Sequence, residues 1–288
     1  MTPILETQGV TKFFGGLRAL NNVDLRIEEG QVFSLIGPNG AGKTTFFNMI
    51  TGIYPPTAGS VRFQGVELLD KVRVPYFPLV KRSRRPFQIT RLGIGRTFQN
   101  IRLFPNMTAL ENVMVGVDAH NKAGVGRAML KTPYQKTEEL VTERRAAELL
   151  QFVGIGRYVN ELSKNLAYGD QRRLEIARAL GTRPALLLLD EPAAGMNPSE
   201  KASLMRLIQR VRDEGITIFL IEHDMKVIMG ISDHIVVLDF GEKIADGTAE
   251  QVRANPRVIE AYLGRGAADE SGHAMHADRD GGESDGDP

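Results

Sequence analysis

Residues Gly37–Thr44 read GPNGAGKT and match the phosphate-loop pattern G-x-x-x-x-G-K-[ST] at every fixed position. The preceding Val32–Ile36 (VFSLI) predicts a short buried strand, and Thr45–Thr51 (TFFNMIT) predicts the start of a helix. In this context backbone N–H groups and the positive end of the helix face phosphate oxygens. We therefore expect Gly37–Thr44 to bind nucleotide phosphates, with Lys43 reaching the β- and γ-phosphates and Thr44 holding Mg²⁺.

The composition is ordinary for a globular protein, and 288 residues are enough to bury a sizeable core. The absence of cysteine excludes disulfides and thiolate metal sites. The longest apolar runs, such as Ala185–Leu189, are strand-sized, far short of the roughly 20 residues of a membrane span. The N-terminal MTPILETQGV lacks the basic and apolar regions of a signal peptide, so any membrane role is expected to come through a partner.

Charge is unevenly distributed along the chain. Arg265–Pro288 has two arginines against seven acids, a net charge of −5, and no aromatic residue, so we expect a disordered acidic tail. Lys71–Arg91 has seven basic residues and no acid, and prolines interrupt it, which predicts an exposed loop. This loop is either a solvated basic insertion, the interpretation we favour, or a contact for anionic lipid headgroups or nucleic acid.

Strand and helix patterns alternate along the chain. Thr108–Leu180 is mostly helical in pattern, and further helices are predicted to begin near Pro198 and Met225. Strands are predicted at Ile4–Lys12, Leu20–Ile27, Val32–Ile36, Gly59–Phe63, Ala185–Asp190, Thr217–Glu222 and His234–Asp239. Within the helical stretch, one apolar stripe is predicted from Leu140, Ala147, Leu150 and Val153. The alternation indicates a parallel sheet with an inserted helical subdomain.

Polar residues follow two of the predicted strands and one further short segment. ALLLLDEP at Ala185–Pro192 ends in two carboxylates, of which Asp190 could coordinate Mg²⁺ and Glu191 could take a proton from an attacking water. His223, in IEHD, follows the apolar strand Thr217–Ile221, and Gln99, in GRTFQN, lies at the end of another short segment. A lone histidine is more often structural, but His223 ends a strand parallel to the other two; Gln99 is uninformative alone, and both residues fit the same site.

Taken together, these motifs resemble the nucleotide-binding subunit of ABC transporters from about Ile4 to Gly264. The resemblance implies an α/β fold of the P-loop NTPase, ABC type. Its central sheet is expected to be mostly parallel, with an N-terminal antiparallel β portion and a helical subdomain at roughly 100–182. The ATPase domain would span residues 1–264, and the acidic tail residues 265–288.

The resemblance also implies which residues bind ATP. Phe14 occupies the position of an aromatic ring against adenine, whereas Phe13 is expected in the core. The Walker A loop, the residue after it and the segment in place of the LSGGQ signature complete the binding set, which is Gly37, Pro38, Asn39, Gly40, Ala41, Gly42, Lys43, Thr44, Thr45, Leu166, Ala167, Tyr168, Gly169 and Asp170.

The remaining motifs carry the implied catalytic and metal-binding roles. Glu191 is the expected catalytic base, His223 the switch histidine and Gln99 the Q-loop glutamine, which contacts Mg²⁺ or the attacking water. Asp190 is the Walker B carboxylate, so the expected metal ligands are Thr44, Gln99 and Asp190. AAGMNP at Ala193–Pro198 matches the D-loop.

Longer stretches, including GIGRTFQNIRLFPNMTALENV and LIEHDMKVIMGISDHIVVLDFGEKIADGTAEQV, are similar to the LivG-type ATPase family of bacterial branched-chain amino acid importers. That resemblance implies ATP and Mg²⁺ as ligands and a head-to-tail dimer with a second ABC ATPase. Two membrane permease subunits and, indirectly, a substrate-binding protein would be partners at the cytoplasmic face of the bacterial inner membrane; no nucleic-acid partner is expected. The alternatives are the ATPase of a lipopolysaccharide-type exporter, a soluble ABC ATPase acting on DNA or ribosomes, and a P-loop kinase.

Four residues depart from the family pattern. Ala167 and Tyr168 replace Ser and Gly of the signature, and Asn197 stands where many relatives have Asp. Asp170 replaces a Gln that approaches the ribose of ATP on the opposite subunit; Asp can accept but not donate a hydrogen bond there. Alternatively, Asp170 is a substitution with little functional effect, whose negative charge is favourable at the start of a helix predicted over Gln171–Leu180.

Overall fold

The computed structural model describes residues 3–72, 80–120 and 133–262, so the acidic tail Arg265–Pro288 lies outside the described residues. Its strands are β1 (Leu5–Phe14), β2 (Leu17–Ile27), β3 (Val32–Ile36), β4 (Ala58–Phe63), β5 (Val66–Glu67), β6 (Leu69–Val72), β7 (Val80–Ser83), β8 (Ile94–Arg96), β9 (Leu186–Asp190), β10 (Thr217–Ile221), β11 (His234–Asp239) and β12 (Glu242–Gly247). Its helices are α1 (Lys43–Ile50), α2 (Pro86–Leu92), α3 (Ala109–Val117), α4 (Pro133–Phe152), α5 (Tyr168–Gly181), α6 (Pro198–Asp213), α7 (Met225–Ile231) and α8 (Ala249–Arg253).

Two sheets form the framework. The larger sheet has the strand order β12-β11-β3-β10-β9-β8; the strands from β11 to β8 pair in parallel and β12 pairs antiparallel to β11. The second sheet, β2-β1-β4-β5, is antiparallel throughout. This arrangement confirms the predicted α/β class, with a mostly parallel central sheet and an N-terminal antiparallel β portion.

The central strands β3, β9 and β10 are buried along their whole length because both faces of the sheet are covered. In β9, Leu187 and Leu189 pack into a core with the helices α3 to α6, whereas Leu186 and Leu188 pack on the opposite side with α1 and the antiparallel sheet. Strand β10 alternates in the same way between the two cores. All parallel strands therefore end at one edge of a rigid layer, which is where the predicted functional residues follow them.

The helices α3, α4 and α5 pack on one another and lie between β8 and β9 in the sequence. Thr108 caps α3: its hydroxyl accepts from the Glu111 N–H, and the Glu111 carboxylate accepts from the Thr108 N–H. The predicted apolar stripe was partly wrong, since Leu140 is 65% exposed. The buried residues of α4 are instead Thr142, Ala146, Leu149 and Leu150, which repeat with the period of a helix but on a different face, and the buried Val153 follows directly after the helix.

The prediction of an exposed loop at Lys71–Arg91 was wrong in the described parts. Strands β6 and β7 pair antiparallel, and α2 begins at Pro86. Proline at the first helical position costs no hydrogen bond, so Pro86 initiates a helix instead of breaking one. Residues 73–79 lie outside the described residues. In the part of the chain that is described, no helix is both long and apolar enough to span a membrane.

Candidate functional site

The turn between β3 and α1 needs glycine at two positions. Gly37 has a φ of 150°, and a Cβ there would lie 2.1 Å from the Leu238 carbonyl oxygen. Gly42 has a φ of 102°, and its Cβ would lie 2.6 Å from the Ala19 carbonyl oxygen. The loop is thus wedged between β11 and β2, so only residues without a side chain fit at these positions.

Lys43 is buried at the start of α1, with its ammonium inside the loop. Its Nζ donates to the carbonyl oxygens of Gly37 at 2.6 Å and Pro38 at 3.0 Å. Asn39, Gly40 and Thr44 are exposed along the same turn, and Thr45 is half-buried. The turn therefore has a fixed cation, and the positive end of α1 directly follows it, which is the arrangement that an anionic group requires.

Asp190 and Glu191 follow β9 in different environments. Asp190 is the last residue of the strand and is buried, and this burial raises the pKa of its carboxyl group, while the neighbouring Arg96 opposes the rise. Glu191 is partly exposed and has a φ of 46°, a left-handed conformation that is rare outside glycine. Its N–H donates to the Ile221 carbonyl oxygen at 2.9 Å, which ties the turn to β10. Such backbone strain is frequent at functional positions.

Three of the predicted residues meet at the Glu191 carboxylate. Gln99 Nε2 donates to Glu191 Oε2 at 2.9 Å, and His223 Nδ1 lies 3.9 Å from the same oxygen. The side chain of His223 is 62% exposed and is accessible from solvent. Residues from the ends of three neighbouring strands, β8, β9 and β10, thus converge on one carboxylate.

Sequence analysis did not identify Arg96, which connects Asp190 to α1. Its Nη2 donates to Asp190 Oδ2 at 3.0 Å, and its Nη1 donates to Asn48 Oδ1 and Thr51 Oγ1 at 2.8 Å each. The Arg96 side chain is 9% exposed. An arginine in a short apolar strand three residues before Gln99 indicates a buried ion pair. The local sequence does not identify its partner.

Glu222 was missed as well. It is buried beside His223, and burial raises the pKa of its carboxyl group. Its Oε1 accepts from the Ala193 N–H at 2.7 Å and its Oε2 from the His223 N–H at 3.2 Å. Glu222 therefore fixes the backbone on both sides of the cluster, joining the turn after β9 to the end of β10.

The two aromatic residues at the end of β1 are equally exposed, at 43% each. The expectation that Phe13 lies in the core was wrong, because β1 ends at a turn on the margin of the antiparallel sheet, where Phe13 pairs with Arg18. The Phe14 ring packs edge-on against Tyr54 at 5.2 Å between centroids, and Lys12 Nζ lies 5.0 Å from its centroid. Phe14 is thus an accessible ring for stacking.

The signature segment lies at the start of α5. The helix begins at Tyr168, three residues earlier than predicted, so Asp170 lies within its first turn. Leu166 is buried in the core, whereas Ala167 and Tyr168 are exposed and Gly169 and Asp170 are half-buried. The segment borders a cavity of about 260 Å³ whose other lining residues include Met196, Ser199 and Glu200. The negative charge of Asp170 is favourable at this helix end.

The donors near the loop suit a magnesium ion. Mg²⁺ prefers hard oxygen ligands and is usually held by one or two carboxylates together with substrate phosphates. The Thr44 hydroxyl is exposed next to the phosphate loop, and the Asp190 carboxylate uses Oδ2 for Arg96. The Gln99 side-chain oxygen is a further hard donor, since only its nitrogen donates to Glu191.

Family comparison agrees with this geometry. Residues 20–194 match the family described as ABC transporter, and residues 242–268 match the family described as branched-chain amino acid ATP-binding cassette transporter.

Individual relatives are similar over most of their length. The chain is 49% identical over 263 residues to the high-affinity branched-chain amino acid transport ATP-binding protein BraF of Pseudomonas aeruginosa, covering 91% of this chain and 98% of that protein. It is 48% identical over 265 residues to LivG of Escherichia coli, a protein of the same description, with the same coverage. A solved structure, the ADP conformation of an ATP-binding cassette of an ABC transporter, matches with a TM-score of 0.76 and 30% identity, covering 92% of this chain and all of that one.

Proposed function

Because this chain belongs to the ABC transporter family of ATP-binding proteins, we propose that Gly37–Thr44, Gln99, Asp190, Glu191 and His223 form its site of ATP hydrolysis. The chain is the ATP-binding subunit of an importer for branched-chain or related amino acids, in line with its relatives. The observation that carries the assignment of the site is the convergence of Gln99 and His223 on the Glu191 carboxylate, at the sheet edge that also bears the phosphate loop.

Binding of ATP rests on the loop and its lysine. The N–H groups of the turn and the positive end of α1 face the phosphates, and the Lys43 ammonium exchanges loop carbonyl oxygens for phosphate oxygens. Phe14 stacks on the adenine ring. Thr44, Asp190 and Gln99 hold Mg²⁺, which when bound neutralises charge on the phosphates.

Glu191 acts as the general base. Its carboxylate is partly exposed, so it can reach an attacking water, and Gln99 donates to one of its oxygens and fixes its direction. His223 lies on the solvent side of Glu191, where its imidazole can orient the γ-phosphate. Catalysis by such a site is largely positioning and stabilisation of charge.

A complete site requires a second ABC ATPase subunit. Gly169 and Asp170 lie at the N-terminus of α5, where free N–H groups and the helix dipole favour an anion. In a head-to-tail dimer, this helix end of one subunit closes on the nucleotide held by the phosphate loop of the other. ATP then brings the subunits together and hydrolysis releases them, a motion that the transporter can use.

The membrane partner docks in a groove of about 510 Å³ beside the Gln99 segment. Ile53, Phe104 and Val115 border this groove and expose large apolar surfaces, while Arg102 and Arg178 supply positive charge. We assign it to a cytoplasmic segment of a permease subunit that carries apolar and acidic side chains. The chain is then a peripheral subunit at the cytoplasmic face of the membrane.

Reconstitution tests the proposed function. The full chain would be co-expressed with two membrane subunits of a branched-chain amino acid importer and their binding protein, and ATP-driven uptake of leucine would be measured in proteoliposomes. We expect uptake in the parent complex and none in a Lys43→Ala complex that still assembles. A chain that does not associate with the membrane subunits, or a complex that hydrolyses ATP without importing any amino acid, would contradict the proposal.

A further inference from the structure

The segment that carries Gln99 is tied to α5 by a buried ion pair. Arg172 is fully buried, and Glu175, one helical turn later, is 1% exposed. Arg172 Nη1 lies 2.9 Å from Glu175 Oε2. Burial raises the pKa of the Glu175 carboxyl group, while the charge of Arg172 opposes that rise. Two charges in this setting require precise hydrogen bonding to compensate for their loss of water.

Both members of the pair also form hydrogen bonds with the backbone around Gln99. Arg172 Nη1 donates to the Phe98 carbonyl oxygen at 2.7 Å, and Nη2 donates to the Gln99 carbonyl oxygen at 2.8 Å. Glu175 Oε1 accepts from the N–H groups of Phe98 at 3.2 Å and Arg102 at 3.4 Å. The pair therefore holds a stretch of chain through four backbone groups, independently of the side chains along it.

Arg172 also connects this stretch to the signature segment. Its Nη2 donates to the Tyr168 hydroxyl at 3.2 Å, so the tyrosine that replaces the usual glycine adds a further hydrogen bond to the guanidinium. The planar guanidinium suits this task because it presents several donors in fixed directions, which an ammonium cannot. Arg172, in the first turns of α5, thus fixes the position of the Gln99 backbone.

We propose that Arg172 is a positioning residue for catalysis that acts through Gln99. This rests on the proposed function, in which Gln99 orients Glu191. With the Gln99 carbonyl held at 2.8 Å from Arg172, the side chain is directed to Glu191, 2.9 Å from its Nε2. Because the anchor is on α5, any displacement of that helix carries Gln99 with it and changes the contact with Glu191. The same helix start presents Gly169 to the other subunit, so dimer closure and the Gln99 contact are mechanically linked.

The test compares Arg172→Lys and Arg172→Met in the full chain. Lysine keeps a positive charge opposite Glu175 but lacks the planar fork of donors with which the guanidinium bonds the Phe98 and Gln99 carbonyl oxygens, so it keeps the proposal testable if the methionine variant does not fold. Arg173→Met is the matched control, because Arg173 lies on the same helix and donates to the Val153 carbonyl at 2.6 Å and the Ser203 hydroxyl at 2.7 Å, away from the Gln99 segment.

Hydrogen exchange gives the first readout. We expect the amides of residues 97–103 to exchange at least about tenfold faster in Arg172→Lys than in the parent, and to be unchanged in Arg173→Met. Parent-like exchange in Arg172→Lys would overturn the anchoring role. This readout does not require ATP hydrolysis, so it tests the anchoring role separately from the proposed function. Failure of the proposed function would show instead as a parent chain that does not hydrolyse ATP.

A double-mutant cycle with Gln99→Ala gives the second readout. Arg172→Lys should lower kcat on the order of 10- to 100-fold through misplacement of Gln99, with KM for ATP within about twofold of the parent. In the Gln99→Ala background the same substitution should change kcat by less than about twofold, since the path through Gln99 is already broken. The proposal would be overturned if the reductions in kcat caused by the two substitutions multiply in the double variant, or if KM rises as kcat falls.

Discussion

Replacing Arg96 with methionine removes a guanidinium that contacts Asp190, Asn48 and Thr51. Methionine keeps much of the volume, so the main effect is electrostatic. The Arg96 and Asp190 side chains are 9% and 4% exposed, so the substitution leaves a carboxylate in the interior without its cation. Breaking a buried pair in this way costs about 3–5 kcal/mol of unfolding free energy. For a chain of this size that lowers Tm by roughly 6–20 °C.

The assay is thermal unfolding of the full chain in a buffer without nucleotide or magnesium. The matched control is Arg62→Met, because Arg62 and Glu6 form an ion pair at 4.0 Å in which both side chains are far more exposed, at 45% and 31%. An exposed pair contributes about 0–1 kcal/mol, so this control should shift Tm by no more than about 4 °C.

A double-mutant cycle separates the ion pair from general packing damage. Asp190→Asn should be destabilising because it leaves the Arg96 cation without its carboxylate, whereas the double variant removes both charges. We expect the double variant to be more stable than the sum of the single losses by about 2–3 kcal/mol. Additive losses, or a Tm of Arg96→Met that matches the Arg62→Met control, would refute the view that Arg96 compensates a buried charge on Asp190.

Three further outcomes are expected. Deleting Arg265–Pro288 should leave Tm and the ATPase rate nearly unchanged, because a segment of that composition makes few native contacts; a large drop in either would show that the tail docks. Asp170→Gln should tighten ATP-dependent dimerisation in a Glu191→Gln background by about 1 kcal/mol at most, with the gap narrowing as salt rises; equal dimerisation at low salt, measured by sedimentation, would leave Asp170 only its role at the helix start. Arg172→Met removes the cation that opposes the raised pKa of Glu175, so that pKa rises further above its unfolded value. The folded variant then binds the proton more tightly, so its stability falls as pH rises through that pKa. In urea unfolding, the loss of unfolding free energy relative to the parent should therefore be smaller at pH 5 than at pH 7.5. A loss that does not depend on pH would count against an ionised Glu175 in the parent.

Sequence patterns located the residues at strand ends but not the ion pairs that hold them. Gly37–Thr44 was identifiable because its function requires fixed spacing within one short segment. Glu191 was identifiable because an apolar strand leads directly into it. Arg96 and Asp190 are 94 positions apart, and nothing local to either residue indicates that they meet. The same holds for Arg172 and the backbone around Gln99.

Misjudged boundaries have local causes. Pro86 was interpreted as a breaker within a basic loop, yet it opens a helix, since proline is compatible with the first helical turn. Leu140 fits a helical period but is exposed, because the period alone does not specify which face meets the core. The start of α5 was placed three residues late, since Tyr168 and Gly169 are weak helix formers whose place in the helix is set by tertiary contacts such as that of Tyr168 with Arg172.

The central claim is that this chain hydrolyses ATP with Glu191 as general base at the phosphate loop. The most direct measurement is ATP affinity and single-turnover hydrolysis for the parent and Glu191→Gln, because the substitution leaves Lys43 and the loop intact. The account predicts unchanged ATP affinity, a loss of hydrolysis on the order of 10²–10⁴-fold, and an ATP-trapped dimer on size-exclusion chromatography. Hydrolysis by Glu191→Gln at near the parent rate would contradict it.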